Sequence, residues 1–159
     1  PRVRRQRQMC IRDSYGMVGG QTVDVESENT CDMTKEKLDF IYRLKTSALI
    51  EASMMIGAVL AGATGSEQKI VEAVASKVGL AFQIQDDILD VTSTMEVLGK
   101  PIGSDEKNHK STYVTYEGIE KAKQDVADLS EKAIAQMETL VVKNEFLTEL
   151  LRYLISREK

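Results

Sequence analysis

The sequence predicts an all-α protein, part of a helical bundle with loops at one end, and three observations carry that. Apolar residues recur at intervals of three and four through each long segment. Alternation with a period of two is nowhere sustained, and only two prolines interrupt 159 residues. Hydrophobic residues at 42% and charged ones at 29% fit a folded helical chain rather than a disordered or fibrous one. No apolar run reaches the roughly 18 residues that span a bilayer. The longest, Ala48–Ala63, is broken by Glu51 and Ser53.

Residues 1–14 stand apart. They carry Arg2, Arg4, Arg5, Arg7 and Arg12 against Asp13 alone, with no helical or strand period. A basic arm and an arginine-rich transit peptide both need features that are missing, an amphipathic face or a cleavage-like stretch. The expectation is a non-native or disordered basic end, with residues 15–159 as the folding unit. Without it, 16 basic residues face 24 acidic ones, a net charge of −8. An acidic body argues against nucleic acid as a partner and requires local cations or a metal to hold any anionic ligand. Cys10 and Cys31 show no metal-ligand spacing, and two isolated cysteines imply a reducing, cytoplasmic compartment.

The elements follow in order. Gly19-Gly20-Gln21, with Asp24, reads as a turn before a polar loop. One long helix is expected from Lys35 to about Leu60, capped by Thr34, with Leu38, Ile41, Leu44, Leu49 and Ile56 near helical spacing and Gly62 and Gly65 at its end. Its second half is apolar nearly all round, which predicts close neighbours on several sides. A second helix starts after Thr64 or Ser66, where Thr64 and Glu67 have capping-box spacing, and runs to about Val91. A glycine- and lysine-rich loop spans Thr92 to about Ser111. A third helix begins near Glu117 and buries Ile119, Ala122, Val126, Leu129, Ala133, Met137 and Leu140. A last one runs from about Glu145 to Ile155.

The sharpest chemical feature is Asp86-Asp87-Ile88-Leu89-Asp90. On a helix, Asp86 and Asp90 are i,i+4 and Asp87 and Asp90 are i,i+3, so the carboxylates share a face. Their repulsion, set among Phe82, Ile84, Ile88 and Leu89, would be offset by a divalent cation. Mg²⁺ suits the site, since it takes one or two carboxylates and shares its shell with substrate phosphates. A solvated acidic turn is the plainer alternative. The loop GKPIGSDEKNHK sets Lys100, Lys107 and Lys110 among glycines just beyond the cluster. It is not a Walker A loop, yet glycine permits close approach and lysine is a point charge for phosphate. An exposed polar loop is the alternative there, and His109 reads as a solvated loop residue. Lys45-Thr46, inside the first long helix, can equally be a lysine snorkelling from an apolar surface.

Taken together, GMVGGQTVD, LKTSALIEASMMIGAVLAG, GLAFQIQDDILDV and LGKPIGSDEKNHKSTY occur in the order and rough spacing of the trans-prenyl diphosphate synthases. The chain resembles the farnesyl and geranylgeranyl type from about Gly16 to Ile155. The resemblance implies a fold from the isoprenoid synthase helical bundle and a Mg²⁺-dependent transferase. That enzyme joins an allylic diphosphate to isopentenyl diphosphate head to tail. Asp86, Asp87 and Asp90 match the second aspartate-rich motif, the Mg²⁺ ligands, with Asp86 the most direct. Lys45, Lys100 and Lys110 match lysines on the allylic diphosphate. Thr46 and Gln83 match polar residues near the ionising carbon, and Gln21 and Asp24 a supporting position on a neighbouring helix.

The family's first aspartate-rich motif and its isopentenyl diphosphate site have no counterpart before Gly16. Residues 15–159 are therefore expected to be the C-terminal half of such a synthase, about half its usual length, inactive alone and homodimeric when complete. An apolar face over Ala48–Gly62 would then be exposed and cause association. A terpene cyclase or head-to-head synthase is one rival, disfavoured by the Lys-Thr element and the lysine loop. A non-catalytic subunit is the other, disfavoured by an intact aspartate motif.

Overall fold

The computed structural model describes residues 16–30, 33–92 and 112–156, and every regular element among them is a helix. In order these are α1 (Met17–Thr30), α2 (Lys35–Leu44), α3 (Ser47–Leu60), α4 (Gly65–Thr92), α5 (Tyr113–Glu117), α6 (Ile119–Met137) and α7 (Glu145–Ser156). The all-α expectation holds. Among the described residues no helix is long and apolar enough to cross a membrane.

Helix α4 is the axis of the molecule. It packs along α3 on one side and α6 on another, with α2, α5 and α7 making shorter contacts. Val74, Val78 and Ile84 are wholly buried on it, each stabilising the fold by about 1.5–3 kcal/mol relative to exposure. From α6 come Ala122, Val126, Ala133 and Met137, the buried members of the predicted apolar series. Lys77 Nζ ties the two helices, donating to Gln136 Oε1 at 2.8 Å. The start of α4 is the predicted one. Glu67 Oε2 accepts from the Thr64 amide at 2.8 Å, and the Glu67 amide donates back to Thr64 Oγ1 at 3.3 Å.

Three sequence expectations are corrected. The helix expected over 35–60 is two helices, broken at Lys45–Thr46. No proline or glycine stands there, and Ser47 Oγ donates to the Tyr42 carbonyl at 2.7 Å. The second correction concerns α3, which is not enclosed on several sides. Only Ser47, Ala52 and Met55 are buried, while Leu60 is 81% exposed. That bears out the expectation of an uncovered apolar face. Third, Gly19-Gly20-Gln21 lies inside α1 rather than in a turn. The helix expected to begin near Glu117 begins at Ile119, and the residues before it form the separate turn of α5. Helix α3 ends where expected, at Gly62. Its φ of 79° lets Gly62 N–H reach the Val59 carbonyl and Ala63 N–H the Ala58 carbonyl.

Candidate functional site

The break between α2 and α3 is pressed between two glycines. A Cβ on Gly20 of α1 would lie 2.7 Å from the Lys45 nitrogen. A Cβ on Gly79 of α4 would lie 2.6 Å from the Ser47 Cα, Cβ and Oγ. Real Cβ atoms do not approach so closely, so the backbone at Leu44–Ser47 sits where only glycine admits it. The positions of Lys45 and Thr46 are therefore fixed by contact with α1 and α4 together.

Helix α4 passes the break antiparallel. Gly79 meets Ser47, and eight residues on, about 12 Å along the axis, Asp87 Oδ2 accepts the Tyr42 hydroxyl. Gln83 lies midway between Gly79 and Asp87 along the helix, by i,i+4 spacing from both. Lys45 Nζ donates to Asp24 Oδ2 on α1 at 2.5 Å, with the side chains 30% and 12% exposed. Asp24 orients this lysine, whereas Gln21, one turn earlier, is exposed.

The three aspartates have different surroundings. Asp86 is part-exposed, and Asp87 is engaged by Tyr42 and by the Tyr113 amide at 2.8 Å. Asp90 is 2% exposed. Among the described residues no three His, Cys, Asp or Glu side chains converge on one metal position. Mg²⁺ does not require three, because one or two carboxylates with substrate phosphates complete its shell. Lys100 and Lys110, the remaining expected diphosphate contacts, lie outside the described residues, as do Lys107 and His109.

Sequence reasoning missed Tyr42 and Tyr113. Tyr42 reads as one more core position, and it is buried. The signal was its hydroxyl, since a tyrosine on a core face needs a polar partner. Tyr113 Oη donates to Asp125 at 2.8 Å, and Asp125 also takes Lys121 Nζ. Burial, then the hydrogen bond to Asp125, pushes the Tyr113 phenol far above its usual range. The Lys121 hydrogen bond, aided by Tyr113, holds the Asp125 carboxyl below its usual range. At the other end of the molecule a groove of about 650 Å³ is lined by Met54, Ala58, Val71, Met137, Val142 and Leu147 among others.

Comparison with known proteins follows the same lines. The polyprenyl synthetase family model matches residues 5–151. The geranylgeranyl diphosphate synthase of Cyanophora paradoxa is 47% identical over 118 residues, covering 74% of this chain and 39% of the relative. The farnesyl diphosphate synthase of Micrococcus luteus is 36% identical over 146 residues, covering 92% of this chain and 50% of the relative. A crystal structure of Helicobacter pylori geranyltransferase, in complex with magnesium and isoprenyl diphosphate, superposes with a TM-score of 0.73 at 32% identity. That alignment covers 94% of this chain and 50% of the other. The chain thus spans half or less of the length of these relatives.

Proposed function

This chain belongs to the polyprenyl synthetase family, and from that premise we propose that it carries the allylic-diphosphate side of a head-to-tail prenyl transfer site. The observation that carries the reading is the broken helix. Lys45 and Thr46 stand at a backbone break wedged by Gly20 and Gly79, and Gly79 shares its helix with Gln83 and the acidic motif.

In this reading Lys45, oriented by Asp24, holds the diphosphate of an allylic substrate, joined by Lys100 and Lys110. Asp86 is the direct Mg²⁺ ligand of the aspartate motif, with Asp87 and Asp90 in support. Bound Mg²⁺ supplies charge neutralisation for the departing diphosphate. Thr46 and Gln83 present their side-chain oxygens to the carbon that becomes cationic, a preorganised electrostatic contribution. Apolar helices around the site exclude water from the allylic cation. The double bond of isopentenyl diphosphate then attacks, and the departing diphosphate takes the proton lost. No nucleophilic side chain is needed. A homodimer and a reducing, cytoplasmic compartment are part of the proposal.

Calorimetric titration with inorganic pyrophosphate tests it. The expected result is binding that depends on Mg²⁺ and weakens about tenfold or more in Lys45→Met and in Asp86→Ala, since each removes a charge-assisted contact. Binding that is indifferent to both substitutions would sink the reading.

A further inference from the structure

Tyr42, Asp87 and Tyr113 meet at one point although they come from three helices. Asp87 Oδ2 accepts the Tyr42 hydroxyl and the Tyr113 amide, the latter at 2.8 Å. The Tyr113 amide is also 3.0 Å from Tyr42 Oη. The two rings lie 6.3 Å apart between centroids, tilted by 30°. Tyr113 is the first residue of α5, so its amide has no intrahelical carbonyl to serve it. Its ring is held at the far end as well, through the hydroxyl on Asp125. One oxygen of Asp87 is therefore committed to the fold, and turning it to a ligand would strand an amide and a hydroxyl in a part-buried place.

We propose that Tyr42 and Tyr113 are positioning residues that make Asp87 a strut rather than a metal ligand. The strut joins α2 and α5 across α4 and fixes the rotation of α4 about its axis. Asp86 and Gln83 are thereby aimed at the break that holds Lys45. The division of roles within the aspartate motif rests on the diphosphate-site reading; the strut itself does not.

Amide hydrogen exchange followed by NMR on residues 1–159 tests both parts. In metal-free protein the Tyr113 amide is expected to exchange slowly. It should accelerate about tenfold in Tyr42→Phe, which keeps the ring and removes the hydroxyl, and further in Asp87→Ala. The Thr115 amide, which donates to Thr112 Oγ1 at 3.3 Å, is the control and stays unchanged in Tyr42→Phe. A Tyr113 amide unprotected in the parent chain, or indifferent to both substitutions, overturns the strut. With Mg²⁺ and inorganic pyrophosphate added, retained protection of Tyr113 during binding supports the proposal. Protection lost on binding overturns it, because Asp87 has then left for the metal. Absence of any pyrophosphate binding defeats the diphosphate-site reading instead, and the metal-free exchange still decides the strut.

Discussion

Lys45 Nζ lies 2.5 Å from Asp24 Oδ2, an ion pair that joins α1 to the break between α2 and α3. An anion arriving at Lys45 must compete with that carboxylate. Asp24→Asn keeps an oxygen acceptor and removes the competing charge. It should lower stability by about 1 kcal/mol, as for a partly screened pair, and tighten Mg²⁺-dependent pyrophosphate binding by a few-fold. Urea unfolding and calorimetry measure the two effects, and binding that weakens in this variant would show that orienting Lys45 outweighs the competition from Asp24.

The glycines on α3 and α4 make an opposed pair of predictions. Gly79→Ala places a Cβ 2.6 Å from Ser47 backbone and side-chain atoms, and should destabilise by about 1–3 kcal/mol, the usual range for overpacking. Gly57→Ala, with nothing within 4 Å of the new Cβ, should stabilise α3 by roughly 0.5–1 kcal/mol. Chemical denaturation of both variants decides; similar behaviour of the two would contradict the close approach at Gly79.

The Tyr113–Asp125–Lys121 chain predicts a pH effect. Asp125 has a depressed folded-state pKa, so its contribution is complete above about pH 3.9, its unfolded value. That contribution is lost as pH falls through the lower folded value. Asp125→Asn should therefore be less stable than the parent at pH 7, by about 1 kcal/mol, and the gap should narrow as pH falls below the unfolded value. The urea midpoint measured at both pH values gives the comparison. Tyr113, whose pKa is raised, acts at the other extreme, losing its contribution above about pH 10.

Uncovered apolar surface predicts association. Leu60, Val141, Val142 and Phe146 are 81%, 84%, 77% and 74% exposed, around the groove between α3, α4 and α7. Residues 1–159 should self-associate at micromolar concentration and bind a hydrophobic dye. Leu60→Glu with Val142→Lys should shift sedimentation toward the monomer, and a parent chain that is already a sharp monomer would refute this.

Much of the fold was legible because it rests on local patterning. The core faces of α4 and α6, the Thr64–Glu67 cap and the end at Gly62 are written in residues three or four apart. The break at Lys45–Thr46 was not legible. Leu44, Lys45 and Thr46 carry no helix-breaking chemistry, and the interruption is enforced by helices that approach from positions 20 and 79. The site divides in the same way. Lys45, Gln83 and the aspartates are singled out as candidates by their motifs, whereas Tyr42 and Tyr113 depend on contacts 45 and 26 residues away in sequence.

The contacts of Gly20 with Leu44–Lys45 and of Gly79 with Ser47 also constrain how this region can vary. Compensating substitutions normally shrink one side chain to admit another, but here the clashing atoms include the Lys45 nitrogen and the Ser47 Cα. Neither can be shortened by any replacement. Even Ser47→Gly leaves the obstacle in place. A larger residue at 20 or 79 has no single-step rescue, so drift that reshapes the exposed face of α3 stops at its first residue.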